Sequence, residues 1–355
     1  MPMPAPTGFY RDRQLIRWGI IGCGDVTEVK SGPAFQQASG SQLIAVMRRD
    51  AARAADYARR HRVPRWYADA AQLVADPEVD AIYVATPPNA HVDGALLAAA
   101  AGKPTYVEKP MARHTPECDR MIAAFAAARV PLFVAYYRRL LPRFTLVKDL
   151  LDRGEIGVVT AISYAQAEPF HQKDAGWRID AASAGGGHFL DLGSHTLDLL
   201  DHLFGPLRDI AGTAANSASA YAPEDTVAMS FRTGGGIVGG ARWNFASAVR
   251  RDALRIEGTA GVIEFPIFET GPVRLETAAG VQSIVRDHPP HVQQPLVQSV
   301  VDDLLGRGVC PSTGESARRT SAVMDAVLHD YYGGRGDEFW TRAAGWPGRR
   351  RERNA

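Results

Sequence analysis

Within the first 138 residues, short apolar runs alternate with alanine-rich segments, and this alternation limits the fold more than any other feature of the 355-residue chain. The runs "LIRWGII" (15–21), "SQLIAVM" (41–47), "DAIYVAT" (80–86), "PTYVE" (104–108) and "PLFVAYY" (131–137) are bounded by Gly, Pro or Asp. Short, branched and uninterrupted, they suit buried parallel strands better than helices. Trp66 and Tyr67 suit a further short strand. Between the runs, residues 51–61, 91–102 and 116–130 have helical character, and Gly102 with Pro104 just beyond is an ordinary helix stop. Strand and helix in strict alternation predict a doubly wound parallel sheet.

The second half changes character. A helix is expected at about 144–153, followed by the strand-like "VVTAISYAQAE". After a glycine-rich stretch come "DTVAMSFRT", "GIVGGARWNFA", "ALRIEGT" and "GVIEFP", separated by Gly-rich turns as in an antiparallel sheet. Helical segments close the pattern at "QPLVQSVVDDLLGRG" and "ESARRTSAVMDAVLHDYY". The expected organisation is a loose arm at 1–14, a dinucleotide-binding domain at 15–138 and a second α/β domain at 139–355, with the boundary near residues 138–142.

Composition narrows the class. Hydrophobic residues make up 46% of the chain and charged residues 22%, with a formal net charge of +1. That balance gives a packed core and offers no basic groove for nucleic acid. Cys23, Cys118 and Cys310 are far apart, which argues against a disulfide framework or a cysteine-held zinc and fits a reducing compartment. The proline-rich N-terminal segment lacks the apolar stretch of a signal peptide, and no window reads as a membrane span, so a cytoplasmic setting is expected.

Gly22 and Gly24 in "GIIGCGDVT" follow the first strand directly. In a dinucleotide site the first glycine makes the tight turn and the second lets backbone N–H groups approach the pyrophosphate. Asp25 and Val26 adjoin this loop, and Thr27 stands where a third glycine is usual. Pro33 makes a single unbroken helix after the loop unfavourable. At the end of the second strand the chain carries Arg48 and Arg49, where an NAD site commonly has an acidic residue for the ribose. Two solvated arginines would be the plain explanation. Beside a dinucleotide loop they fit the 2′-phosphate of NADP, with NAD the alternative cofactor. Thr86, Pro87, Asn89 and His91 of "TPPNAH" lie at the carboxyl edge of the sheet, where ligands bind in such folds. Asn89 also suits a cap for the helix that follows.

Two further motifs carry the chemistry. Glu108 and Lys109 end the fifth strand, on the same edge as the glycine loop. A lysine shifted towards neutrality there can give or take a proton. "GGGHFLDLGSH" then places Asp191 and His195 four residues apart. If a helix begins near Gly187, these two share a face with Asp198 and His202, which read as supporting or surface residues. Asp and His on one face could also ligate zinc, but no other ligand cluster is evident and no metal is expected.

"GIIGCGDV", "ATPPNAH", "YVEKP" and "GGGHFLDLGSHTLDLL", in this order, resemble the Gfo/Idh/MocA (glucose–fructose oxidoreductase/inositol dehydrogenase) family over about residues 15–332. The resemblance implies a Rossmann domain and a C-terminal α/β domain with a large open sheet that often joins subunits, here as a homodimer or homotetramer. It also implies hydride transfer between NAD(P) and a hydroxyl-bearing carbon of a sugar, cyclitol or related diol. Lys109 matches its EKP lysine, and Asp191 and His195 match its DxGxH pair. Asp191 and His195 would handle substrate with Lys109, and Trp177 and Arg178 would form part of the substrate wall. Tyr137 stands where the family more often has Asn. Some members instead use a retained cofactor for eliminations or glycoside cleavage, and a non-enzymatic cofactor sensor is a third possibility.

Overall fold

The computed structural model describes residues 5–169 and 176–349. The chain divides into two compact units. One contains the chain up to Ala112, Glu117–Leu141 and Pro289–Arg318. The other contains Arg113–Pro116, Pro142–His288 and the chain from Arg319 onwards.

The first unit is built on six strands: β1 (Ile16–Ile21), β2 (Ser41–Met47), β3 (Arg65–Tyr67), β4 (Ala81–Val84), β5 (Thr105–Val107) and β6 (Leu132–Val134). Their order is β3-β2-β1-β4-β5-β6 and every pair is parallel, the doubly wound arrangement. The order reverses beside β1, so the β1 loop lies at the switch point where ligands bind in open α/β sheets. The strands are short because both faces are covered: Ile21, Ile82, Val84 and Val107 are buried under helix residues such as Ala95 and Ala98. The helix after β1 is broken, as Pro33 requires, into α1 (Asp25–Val29) and α2 (Gly32–Gln37). Then come α3 (Ala51–His61), α4 (Ala70–Ala75), α5 (His91–Ala100) and α6 (Thr115–Ala128).

Two features of this unit differ from the sequence expectation. Of the expected loose arm, the described stretch from Thr7 to Arg13 is held. Thr7 donates to the Asp303 carboxylate through its amide (2.9 Å) and hydroxyl (2.6 Å), the Tyr10 hydroxyl donates to Asp80 O at 2.9 Å, and Arg13 pairs with Asp80. The unit also takes back Pro289–Arg318, including a helix at Gln294–Leu304. Gln293 of that segment is fully buried, and its amide donates to Lys30 O at the break between α1 and α2. Both are contacts between distant stretches of chain, which local patterning does not carry.

The second unit opens with α7 (Pro142–Asp152) and holds an eight-stranded sheet: β7 (Val159–Ala167), β8 (Leu207–Ala215), β9 (Thr226–Thr233), β10 (Val238–Asn244), β11 (Arg251–Gly258), β12 (Gly261–Phe265), β13 (Val273–Thr277) and β14 (Gly280–Ile284). The order is β14-β13-β12-β11-β7-β10-β9-β8, antiparallel except for the parallel pair β7–β10. Side chains alternate along β9, with Val227, Met229 and Phe231 buried and Ala228, Ser230 and Arg232 exposed, so one face is packed and the other open. Trp243 and Phe189 meet edge-to-face on the packed side, with ring centroids 4.8 Å apart. Among the described residues, no helix is long and apolar enough to cross a membrane.

Candidate active site

The loop after β1 is shaped by close approach. Gly22 has φ +91°, and a Cβ there would lie 2.7 Å from Thr86 Cγ2 and 3.0 Å from Thr86 N. Only glycine adopts that backbone at so small a separation. Gly24 is different: its backbone is extended, and a Cβ would meet only Gly22 O, at 3.9 Å. The space in front of Gly24 is therefore open. Thr27, in the third-glycine position, is fully buried, and its hydroxyl donates to Gly24 O at 2.7 Å. The packing role falls to Gly32, where a Cβ would overlap Thr27 O and the Tyr57 hydroxyl.

Arg48 follows β2 and donates through Nη1 to Cys23 O, within the glycine loop, at 3.2 Å. Its guanidinium is thus held beside the loop, while Arg49 is exposed. The next acidic residue, Asp50, is engaged as the cap of α3, accepting from Arg53 N at 3.1 Å. Thr86 Oγ1 is buried without a hydrogen-bond partner among the described residues. An open glycine edge, an orphaned hydroxyl and a guanidinium at the loop suit a dinucleotide.

Pro87 and Asn89 are exposed at the same edge of the sheet. Asn89 does not cap α5, which has no side-chain cap and follows a short 3₁₀ turn over Pro88–Ala90. His91 is fully buried: Nε2 faces Thr86 O at 2.7 Å and Nδ1 faces Pro110 O at 3.0 Å, so the ring bridges the loops after β4 and β5. Burial pushes its pKa down. Glu108 is buried too. Its carboxylate accepts from the Tyr83 hydroxyl, the Gln293 side-chain amide and the backbone N–H of Lys109, the last at 3.1 Å. Sequence reasoning missed Gln293, whose signal is a glutamine beside an apolar helix. Lys109 is half-buried in the loop two residues beyond β5, which ends at Val107 and not at Lys109, and three residues before the chain leaves the first unit.

In the second unit the expected helix from Gly187 begins differently. Phe189–Gly193 forms a π turn, and the α-helix proper, α8, is Ser194–Phe204. A regular α-helical stripe therefore connects His195, Asp198 and His202, but Asp191 lies in the wider turn. Gly193 makes that turn possible, because a Cβ there would overlap the Phe189 ring. The glycine run is pinned from two sides: Gly187 N donates to the buried Glu224 at 3.1 Å, and buried Arg335 donates to Gly185 O at 2.7 Å. Tyr332 donates to the other oxygen of Glu224, whose pKa burial raises.

Asp191 accepts from Arg178 Nε at 3.1 Å, and that guanidinium stacks on Trp177, 4.7 Å from its centroid. Trp177, Arg178 and Asp191 thus form one group. His195 is buried, and its ring stands edge-to-face with Phe268, centroids 6.0 Å apart. Asp198 is buried and not at the surface, and His202 is half-buried. His188, another residue the sequence reading passed over, packs on Phe245 at 5.6 Å, and burial lowers its pKa. It directly follows the three glycines, the one signal that could have marked it.

A parallel six-stranded sheet with a glycine loop at its switch point, followed by an eight-stranded open-faced sheet, suits a dinucleotide-dependent oxidoreductase. The match is specific: residues 16–136 fit the NAD-binding Rossmann-fold model of the Gfo/Idh/MocA oxidoreductases, and residues 144–264 fit that family's C-terminal domain, so the chain belongs to the Gfo/Idh/MocA family. It is 35% identical to "Oxidoreductase P35" of Formosa agariphila over 315 residues, 87% of this chain and 97% of that protein. It is 31% identical to the trans-1,2-dihydrobenzene-1,2-diol dehydrogenase of Mus musculus over 254 residues, 70% of this chain and 74% of that one. Among solved structures, a levoglucosan dehydrogenase in complex with NADH and levoglucosan superposes with a TM-score of 0.79 at 21% identity, covering 89% of this chain and 97% of that chain, a likeness of fold.

Proposed function

We propose that this protein transfers a hydride between NADP(H) and a hydroxyl-bearing carbon of a sugar, cyclitol or related diol. The observation that carries the substrate side is the Asp191 carboxylate, paired with Arg178 at 3.1 Å in the turn that leads into His195. A bound nicotinamide supplies the hydride acceptor or donor. The chain's own residues do the rest. The open edge at Gly24 receives the pyrophosphate, with Asp25 and Val26 beside it. Arg48, tied to Cys23 O, meets the 2′-phosphate with charge-assisted bonds, and Arg49 adds positive charge. Thr86, Pro87 and Asn89 border the ring end of the cofactor, while His91 and Glu108 hold the loops that carry them.

Lys109 or His195 takes the hydroxyl proton as the carbon is oxidised and returns it in reduction. Asp191 orients the substrate hydroxyls, and Trp177 with Arg178 walls the site. Small residues on the open face of the second sheet, such as Ala161, Ser163 and Ala165, support a homodimer or homotetramer joined through that face. The three cysteines are all free and buried, which fits a cytoplasmic enzyme.

The test is cofactor-coupled turnover over a panel of sugars, cyclitols and diols with each free cofactor. Net reduction of NADP⁺ by a polyol is the expected result. Product formation without net cofactor reduction would favour retained-cofactor chemistry, and no turnover of any polyol would overturn the assignment.

A further inference from the structure

Residues 266–271, "PIFETG", connect β12 to β13 and lie outside the ladder of the sheet. Their backbone is nevertheless held tightly. The amides of Ile267, Phe268 and Glu269 all donate to the Asp252 carboxylate, at 3.1, 2.5 and 2.8 Å. The Tyr164 hydroxyl donates to the same carboxylate at 3.1 Å. From Arg143, a buried residue, one nitrogen donates to Pro266 O and Glu269 O, each at 2.9 Å. Two side chains thus fix five backbone groups within four residues. Connecting loops usually leave such groups to water.

What the fixed loop presents is Phe268. Its neighbour Ile267 is buried, but Phe268 stays partly exposed, with its ring at the edge of the His195 imidazole, 72° between the planes. We propose that Phe268 is a specificity-determining wall of the site around His195. Asp252 and Arg143 are its positioning residues, and it selects substrates whose reacting hydroxyl is carried on a ring with a face of C–H bonds. The inference rests on the reading of His195 as a proton-handling residue. An aromatic face bears negative charge density and attracts such C–H bonds, whereas an open-chain polyol keeps its hydroxyls solvated and gains less from an apolar wall. A contact of this size is worth about tenfold in discrimination.

The experiment uses the full chain with NADP⁺ or NAD⁺. The ring probes are trans-cyclohexanediol, myo-inositol and D-xylose, and the open-chain probes are erythritol and glycerol. Wild type should prefer at least one ring probe. Phe268→Ala should lower kcat/KM for that probe by about tenfold, mainly through KM, and change the open-chain probes by no more than about twofold. Cofactor affinity should stay at the wild-type value. Phe268→Leu, which keeps an apolar side chain, should lie between. Asp252→Asn should raise KM for the ring probe with kcat held, and adding it to Phe268→Ala should change nothing further. Oxidation of no ring probe overturns the proposal, as does a ring preference that survives Phe268→Ala or an equal loss on both probe classes. His195→Ala, run alongside, separates the two failures. Full turnover in that variant removes the underlying reading. Lost turnover there with an unchanged ring preference in Phe268→Ala removes only the role of Phe268.

Discussion

Gly22 and Gly24 are two residues apart in one loop, yet their replacement by alanine should have opposite consequences. At Gly22, alanine must adopt φ +91°, a conformation that costs an L-residue roughly 1–2 kcal/mol. Its Cβ would also stand 3.0 Å from Thr86 N and 3.2 Å from Ala85 C, backbone atoms of the β4 exit that cannot swing aside like a side chain. Adding that displacement, Gly22→Ala should lose about 2–4 kcal/mol of stability. At Gly24 the backbone is already extended, and the new methyl meets nothing closer than 3.9 Å. Gly24→Ala should therefore hold its stability within about 0.5 kcal/mol. It should nevertheless lose cofactor affinity by about tenfold or more, since the methyl occupies the approach to the pyrophosphate. Urea unfolding measures the first effect and calorimetric titration with each nicotinamide cofactor the second. A Gly24→Ala protein that binds cofactor like wild type would refute the cradle, and a fully stable Gly22→Ala protein would refute the close-approach argument.

Arg48→Asp should weaken NADP(H) by about 2 kcal/mol, roughly 30-fold, because it removes a charge-assisted partner and adds a repulsion, while NAD(H) changes little. Equal wild-type affinity for the two cofactors would return Arg48 and Arg49 to solvated strand-end residues. Lys109→Met and His195→Ala should each slow the chemical step by about 100-fold with cofactor affinity kept, and the double variant should fall well short of the product if one proton path serves both. Full additivity in single-turnover kinetics would assign them independent tasks. Glu28 has its pKa lowered to about 2, chiefly by hydrogen bonds from Arg60 and further by His61, against desolvation. Its contribution is present above the unfolded carboxylate range and is lost as pH falls from about 4.5 to about 2. Glu28→Gln should thus lower stability at neutral pH and match wild type below that window; a constant difference across urea melts down to pH 2 would contradict the sign.

Local pattern carried much of the fold. The second strand at Ser41–Met47 and the helix at Ala51–His61 have the bounds read from the sequence, because strand β-branching and the Asp50 cap are local signals. The break at Pro33 was legible for the same reason. The residues that escaped are tied by contacts across long stretches of chain. Thr7 is held by Asp303, Gln293 bonds to Glu108, and Arg143 grips the loop around Phe268. The π turn also escaped, because a glycine at 193 looks tolerable in an α-helix until the Phe189 ring lies over it. At the candidate site, Lys109, Asp191 and His195 could be singled out from residue type, order and the family resemblance. Glu108 and Arg178 could be named as well, but their bonds to Lys109 N and to Asp191, and the place of Phe268 beside His195, needed the structure.

If a substrate hydrogen passes as hydride to the nicotinamide while Lys109 or His195 takes the proton, a label on the reacting carbon must reach the cofactor. The most direct measurement follows the label. A ring diol deuterated at its carbinol carbons is incubated with the full chain and NADP⁺ in a single turnover, and the cofactor is recovered for NMR. Deuterium is expected on the reduced nicotinamide ring, at a rate cut about 100-fold in Lys109→Met with cofactor affinity unchanged. Product formed without deuterium on the nicotinamide, or transfer at the wild-type rate in Lys109→Met, would contradict this mechanism.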